Sequence, residues 1–278
     1  MKVRNRVDFE MIVCVIGIGQ IGFPVAKYVV TKGYEVHGFD INPAAVENGG
    51  QNGKFKATTQ WNQLPKADVY IICVTTGQIN NQADLTAVFD VSRKIAEEAD
   101  TDTLVSVEST ILPGTSKKIF EEIFRGKVLF VHAPHRYWAD QEDKYGVNQV
   151  RVIGGINTES LETGIKFYKE QLGIPMHSVN RIEIAEMCKI VENSHRYLQI
   201  AFAEDLKMMC NHIDMNFDEL REAMNTKWNV DLPEARDGIG RHCLPKDIRY
   251  VTSLTPSILL NSAIEVDQKY RQWLVKQK

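Results

Sequence analysis

Cysteine pairs spaced two apart are missing from this sequence, and its cysteines show no regular spacing. The five that exist, Cys14, Cys73, Cys188, Cys210 and Cys243, form an odd and scattered set. Such a set excludes a disulfide framework, gives no metal-ligand spacing and fits a reducing compartment. Charge of one sign is also missing: 33 Lys and Arg against 36 Asp and Glu leave a net −3. That balance gives no electrostatic case for a nucleic acid or membrane partner. No apolar run reaches the length of a membrane span. The longest, residues 11–30, is interrupted by Gly17, Gly19, Gly22 and Pro24 and lacks the cleavage site of a secretory signal. Repeats and low-complexity segments are absent too. A cytoplasmic protein with a small-molecule partner is therefore expected, and 278 residues suffice for one large or two modest domains.

The first half of the chain reads as a nucleotide fold. MIVCVI is a fully buried strand that runs directly into GIGQIG, with Gly17, Gly19 and Gly22 in the spacing GxGxxG. Gly17 permits a tight turn, Gly19 lets a pyrophosphate approach the backbone, and Gly22 lets the next helix pack on the strand. Gln20 and Ile21, between the last two glycines, are assigned to the same site, and the helix from Ile21 points its N-terminus at the phosphates. A second strand, YEVHGFD, ends in Asp40, whose carboxylate would accept from the adenosine ribose and repel a 2′-phosphate. NAD is thus expected over NADP. Further strands, ADVYIICV, TLVSVES, KVLFVHAP and QVRVIGG, alternate with helical stretches. The pattern predicts a doubly wound parallel sheet of the Rossmann type over residues 11–180, with ligands beyond its carboxyl edge. Thr75, Thr76, Ser109, Thr110, His135 and Arg136 stand at those strand ends. Thr75, Thr76 and Thr110 are assigned to the cofactor, and each strand-end hydroxyl or imidazole could equally cap a turn.

From residue 181 the strand signal fades, and an all-helical domain over 181–278 is predicted. RIEIAEMCKIVENSHRYLQIAFAEDLKMMCNHI has one helical period throughout. It places Lys189 and Asn193, four apart, on one face, where a substrate hydroxyl and its proton could be held. NFDELREAMN is a shorter helix capped by Asn216, and the chain closes on SILLNSAIEVDQKYRQWLVKQ. Between them lies GIGRHCLPKD. There Pro245 suits a first helical turn, so Cys243 stands at a helix N-terminus that favours its thiolate, with Lys246 and Asp247 beside it. A candidate nucleophile and a buried small residue in a turn both fit this local pattern.

Taken in order, GIGQIGFPVA, ADVYIICVTT, ESTILPGT, AEMCKIVENSHRYLQIAF and GIGRHCLPKD resemble the UDP-glucose/GDP-mannose dehydrogenase family, including its UDP-N-acetylmannosamine dehydrogenase branch. The last two segments are the most specific. Members oxidise a sugar C6 alcohol to a carboxylate with two NAD+. The resemblance implies that Cys243 attacks the aldehyde to form a thiohemiacetal, which becomes a thioester. It implies that Lys189 stabilises the oxyanion, Asn193 supports the same oxygen, Asp247 handles protons and Thr110 helps place a water. It also implies a homodimer built through the long helix. Three departures stand out. His135 replaces the glutamate that follows Pro134 in the family and serves thioester hydrolysis there, so His135 itself becomes a catalytic candidate. Arg241 precedes His242 where the family has glycine, and with Arg136 it is assigned to the substrate as an anion binder. Third, the family's C-terminal nucleotide-gripping domain is absent from this sequence. Two other readings stay open: a two-electron oxidation of a smaller hydroxy acid, as in the 3-hydroxyisobutyrate dehydrogenase group, and a catalytically silent NAD-binding module.

Overall fold

Residues 11–80, 82–240 and 242–277 are described in a computed structural model of the chain. Arg241, assigned above to the substrate, lies outside the described residues. The chain divides into two compact units, one of residues 1–77 and 84–188, the other of residues 78–83 and 189–278.

The first unit opens with β1 (Ile12–Ile16), α1 (Gly22–Thr31), β2 (Glu35–Phe39), α2 (Pro43–Asn48), β3 (Lys56–Thr58) and β4 (Val69–Ile72). Next in the chain is a two-stranded hairpin, β5 (Gly77–Ile79) with β6 (Gln82–Asp84), whose residues 78–83 belong to the second unit. Then come α3 (Thr86–Glu98), β7 (Leu104–Val107), α4 (Thr115–Glu122), β8 (Leu129–His132), α5 (Glu142–Tyr145), β9 (Arg151–Gly155), α6 (Thr158–Ile165) and β10 (Met176–Val179). Among the described residues eight strands make one sheet in the order β10-β9-β8-β7-β4-β1-β2-β3. Its register sets Val13 of β1 beside Val36 of β2 and Val69 of β4. The strands are apolar on both faces because helices cover both. Alternation along β1 makes this visible: Val13 and Val15 join one core layer, with Val25, Ala26 and Val29 of α1. Cys14 and Ile16 join the other, with Val88, Val91 and Ile95 of α3. Each such fully buried aliphatic side chain contributes about 1.5–3 kcal/mol over exposure.

One strand departs from the parallel expectation. β9 pairs antiparallel with β8 and parallel with β10. The chain between β8 and β9 carries only a 3-10 turn (Ala139–Gln141) and the one-turn helix α5, so it never returns to the opposite sheet edge as a parallel neighbour requires. Sequence reading also passed over β3, β10 and the small hairpin, which are short.

Helices then take over: α7 (Ile182–His212), α8 (Phe217–Asn225), α9 (Cys243–Leu254) and α10 (Ile258–Lys276). No glycine or proline interrupts the 31 residues of α7. It ends where Asp214 turns left-handed at φ 57° and the Met215 N–H returns to the Cys210 carbonyl at 2.8 Å. The boundary between the units falls within α7, after Cys188. Asn216 caps α8 by accepting the N–H groups of Asp218 and Glu219, as its position predicts. In the second unit, Tyr197, Ala201, Ile239, Ile248 and Ala263 form one buried cluster.

Candidate active site

The assigned residues fall into two groups, one on each unit. In the first unit the glycine turn has the shape a dinucleotide needs. Gly17 holds φ +88°, and a Cβ there would meet the Val74 nitrogen at 2.8 Å. A Cβ on Gly22 would lie 1.8 Å from the Gly17 carbonyl oxygen, so any side chain would force α1 off the strand. Around Gly19 there is open space within 4 Å of a Cβ position, which leaves backbone accessible to a phosphate. The helix behind it starts at Gly22 with no side-chain cap after Ile21 and no acidic residue in its first turn. That terminus suits an anion. Asp40 follows β2 and accepts the Asn42 N–H at 2.9 Å through one carboxylate oxygen. These residues fit NAD.

At neighbouring strand ends Thr75 is exposed, Thr76 is buried and Thr110 is half-buried. Ser109 serves structure, donating to the Val74 carbonyl at 2.7 Å and so tying β7 to β4. Arg136 donates to the Val150 carbonyl at 3.0 Å and reaches the Cys188 Sγ at 4.0 Å, so part of its donor set is spent within its own unit.

His135 belongs to a buried polar cluster that sequence reading missed. Its Nε2 lies 2.6 Å from Oε2 of Glu108, which is fully buried just past β7. The Glu108 Oε1 accepts from Arg151 at 2.8 Å and from the Tyr168 hydroxyl at 2.6 Å. Ser106 and Tyr168 share a hydroxyl contact of 2.7 Å. Burial alone would raise the Glu108 carboxyl, but the Arg151 guanidinium and His135 outweigh it and hold it well below the usual carboxylate range. The signal was available: Glu108 and Arg151 are charges inside apolar strand sequence, and such charges are almost always paired.

The second unit brings Lys189, Asn193, Cys243 and Asp247 together. Lys189 and Asn193 lie one turn apart on α7. Cys243 opens α9, exposed, with Pro245 in the same first turn. Asp247, one turn further, is buried and accepts from the Asn193 Nδ2 and from Lys246. Asn193 therefore spends one N–H on Asp247, while its other N–H and its oxygen have no partner among the described residues. Lys246 is itself buried, its ammonium 4.1 Å from the Tyr250 ring centre, so it anchors Asp247 instead of facing solvent. Burial pushes the Lys189 ammonium down from its ordinary value, opposed by the charges of Asp247 and Glu192. An amine so placed gives up and takes back a proton more readily than a surface lysine. The group can thus hold an oxygen, move a proton and present a thiol.

Residues 44–172 match the UDP-glucose/GDP-mannose dehydrogenase family, NAD binding domain, and residues 183–268 match the central domain of the same family. The UDP-N-acetyl-D-mannosamine dehydrogenase of Methanococcus vannielii is 32% identical over an alignment 280 positions long, gaps included, that covers 92% of this chain and 65% of that protein. The chain thus spans just under two thirds of that curated relative. The solved UDP-D-ManNAc dehydrogenase of Pyrococcus horikoshii superposes with a TM-score of 0.88 at 28% identity, over 96% of this chain and 70% of that one. A 3-hydroxyisobutyrate dehydrogenase of Mycobacterium tuberculosis, at 15% identity and a TM-score of 0.74 over 94% and 93%, shares the fold alone. The chain carries an NAD-binding domain followed by a central domain, and it belongs to the UDP-glucose/GDP-mannose dehydrogenase family.

Proposed function

We propose that this chain oxidises the C6 primary alcohol of a nucleotide sugar toward the carboxylate, with Cys243 as the covalent nucleophile. UDP-N-acetyl-D-mannosamine, named by its relatives, is the first substrate to test. The observation that carries the reading is the convergence of Lys189, Asn193 and Asp247 beside the exposed Cys243. NAD bound at the glycine turn and Asp40 supplies the hydride acceptor. Lys189 takes the alcohol proton and then steadies the developing oxyanion, together with the free N–H of Asn193. The Cys243 sulfur adds to the aldehyde carbon, giving a thiohemiacetal and returning a proton through the Lys189–Asp247 pair. A second hydride passing to a second NAD+, with the thiohemiacetal hydroxyl proton taken up by Lys189, would leave a thioester on Cys243. Water then breaks its C–S bond, releasing the acid and restoring the thiol. Thr110 helps place that water, and His135, backed by the Glu108 carboxylate, supplies the base. Arg136 and Arg241 are assigned to the anionic substrate.

The scattered free cysteines support a cytoplasmic setting, and no helix among the described residues is long and apolar enough to cross a membrane. Exposed Ile184, Phe202 and Met209 along α7 support a homodimer through that helix. Sedimentation showing only a 31.6 kDa species at micromolar concentration would refute the dimer. The test of the activity is NAD+ reduction against nucleotide sugars, free sugars and small hydroxy acids. Reduction with nucleotide sugars is expected. Turnover of hydroxy acids alone favours the two-electron reading, and no turnover at all favours the silent module.

A further inference from the structure

Cys243 enters α9 from a loop, and a loop by itself holds a nucleophile loosely. On its C-terminal side the first turn of α9 is held by Asp247, which accepts from Asn193 and Lys246. On its N-terminal side one residue of α10 gathers the contacts. Oδ1 of Asp267 accepts the backbone N–H of Ile239, four residues before Cys243, at 2.7 Å. Oδ2 of the same carboxylate accepts from the Tyr197 hydroxyl of α7 at 3.1 Å. The Arg271 Nε lies 3.0 and 3.1 Å from the two oxygens, one turn along α10. Arg271 also closes the space beneath Gly238, which holds φ +91°: a Cβ there would meet the guanidinium carbon at 2.8 Å. Ile239 is buried against Tyr197, Ala201, Ile248 and Ala263, and its N–H is turned to the Asp267 carboxylate. Upstream, the Tyr270 hydroxyl donates to the Arg236 carbonyl at 2.8 Å and Lys207 donates to the Ala235 carbonyl at 2.9 Å.

We infer that Asp267 is a positioning residue for Cys243: its carboxylate pins the Ile239 amide to α7 and α10 and thereby sets where the thiol enters α9. The inference rests on the proposed function for its consequence in turnover, but the anchor itself is a property of the fold. A carboxylate is favoured there because it accepts all three donors at once, which a hydroxyl cannot do. Removing it leaves a buried N–H unsatisfied and frees the turn that precedes the nucleophile.

The test compares Asp267→Ala with Asp267→Asn in the full chain. Asp267→Ala should lower kcat for the nucleotide sugar about 10²-fold, the scale of an ångström-sized misplacement, while KM and the Kd for NAD+ stay within about 3-fold. Asp267→Asn keeps an oxygen for the Ile239 N–H and should recover kcat to within about 5-fold of the parent. Hydrogen exchange followed by peptide mass should show faster exchange in residues 236–245 of Asp267→Ala alone, with other peptides unchanged. Should Asp267→Ala fail to fold, Tyr197→Phe replaces it, with a smaller loss in kcat and the same local exchange. Unchanged exchange in 236–245, or an Asn variant as impaired as Ala, overturns the inference. If the parent protein oxidises no nucleotide sugar, the proposed function fails while the exchange comparison still decides the anchor.

Discussion

Glu204 of α7 is fully buried, and neither of its carboxylate oxygens has a hydrogen-bond partner among the described residues. Asp267, Arg271, Tyr197 and Tyr270 are the titratable groups that feel it. Burial, reinforced by the Asp267 charge and opposed by Arg271, pushes its carboxyl up from an ordinary 4.5 to about 8. An acid raised on folding binds its proton more tightly in the native state, so the penalty is absent below the unfolded value. It then grows with pH and levels off only above the folded value. At about pH 7 a shift of this size costs roughly 3 kcal/mol, and the cost rises by roughly 2 kcal/mol between about pH 5 and about pH 7. Glu204→Gln removes the titration while keeping the volume. Its buried amide carries its own cost, but that cost does not depend on pH. Urea unfolding of parent and variant over this range is therefore expected to show the variant gaining on the parent steadily as pH rises. A stability difference flat between about pH 5 and about pH 8 would refute the reasoning, because Glu204 would then be partnered or hydrated in the native protein.

Three further outcomes follow from the same geometry. Asp40 should give the parent a much tighter NAD+ than NADP+, and Asp40→Ser should narrow the gap; equal affinities in the parent would remove the ribose assignment. Arg151→Met leaves the Glu108 carboxylate buried without its main counter-charge and should cost about 3–5 kcal/mol of stability. Adding Glu108→Gln should return a good part of it, and a single-variant loss below about 1 kcal/mol would show the cluster to be hydrated.

Much of this structure is written in local sequence. β1, the glycine turn and α1 follow from an apolar run meeting GxGxxG, and α7 follows from 31 residues with one apolar period and no breaker. Lys189 and Asn193 share a face because four residues make about one helical turn. What stayed hidden depends on long-range pairing. Nothing local reveals that β9 runs against β8, since an antiparallel neighbour is chosen by how the chain returns and not by strand composition. Glu108 and Arg151 are 43 residues apart, and only the register of β7, β8 and β9 brings them together. Asp267 likewise reads as one more polar residue on an amphipathic helix until Ile239, 28 residues away, is seen to donate to it.

The central claim is that Cys243 carries the substrate covalently through the second oxidation. The direct measurement is the ratio of NADH to product with a nucleotide sugar, run beside mass spectrometry of the rapidly quenched protein, for the parent and for Cys243→Ser. Two NADH for each acid released and an acyl adduct on Cys243 under turnover are expected. The Cys243→Ser variant should bind NAD+ normally yet lose at least ~10³-fold in the rate of acid formation. One NADH per product, no adduct and an unimpaired Cys243→Ser variant would contradict it.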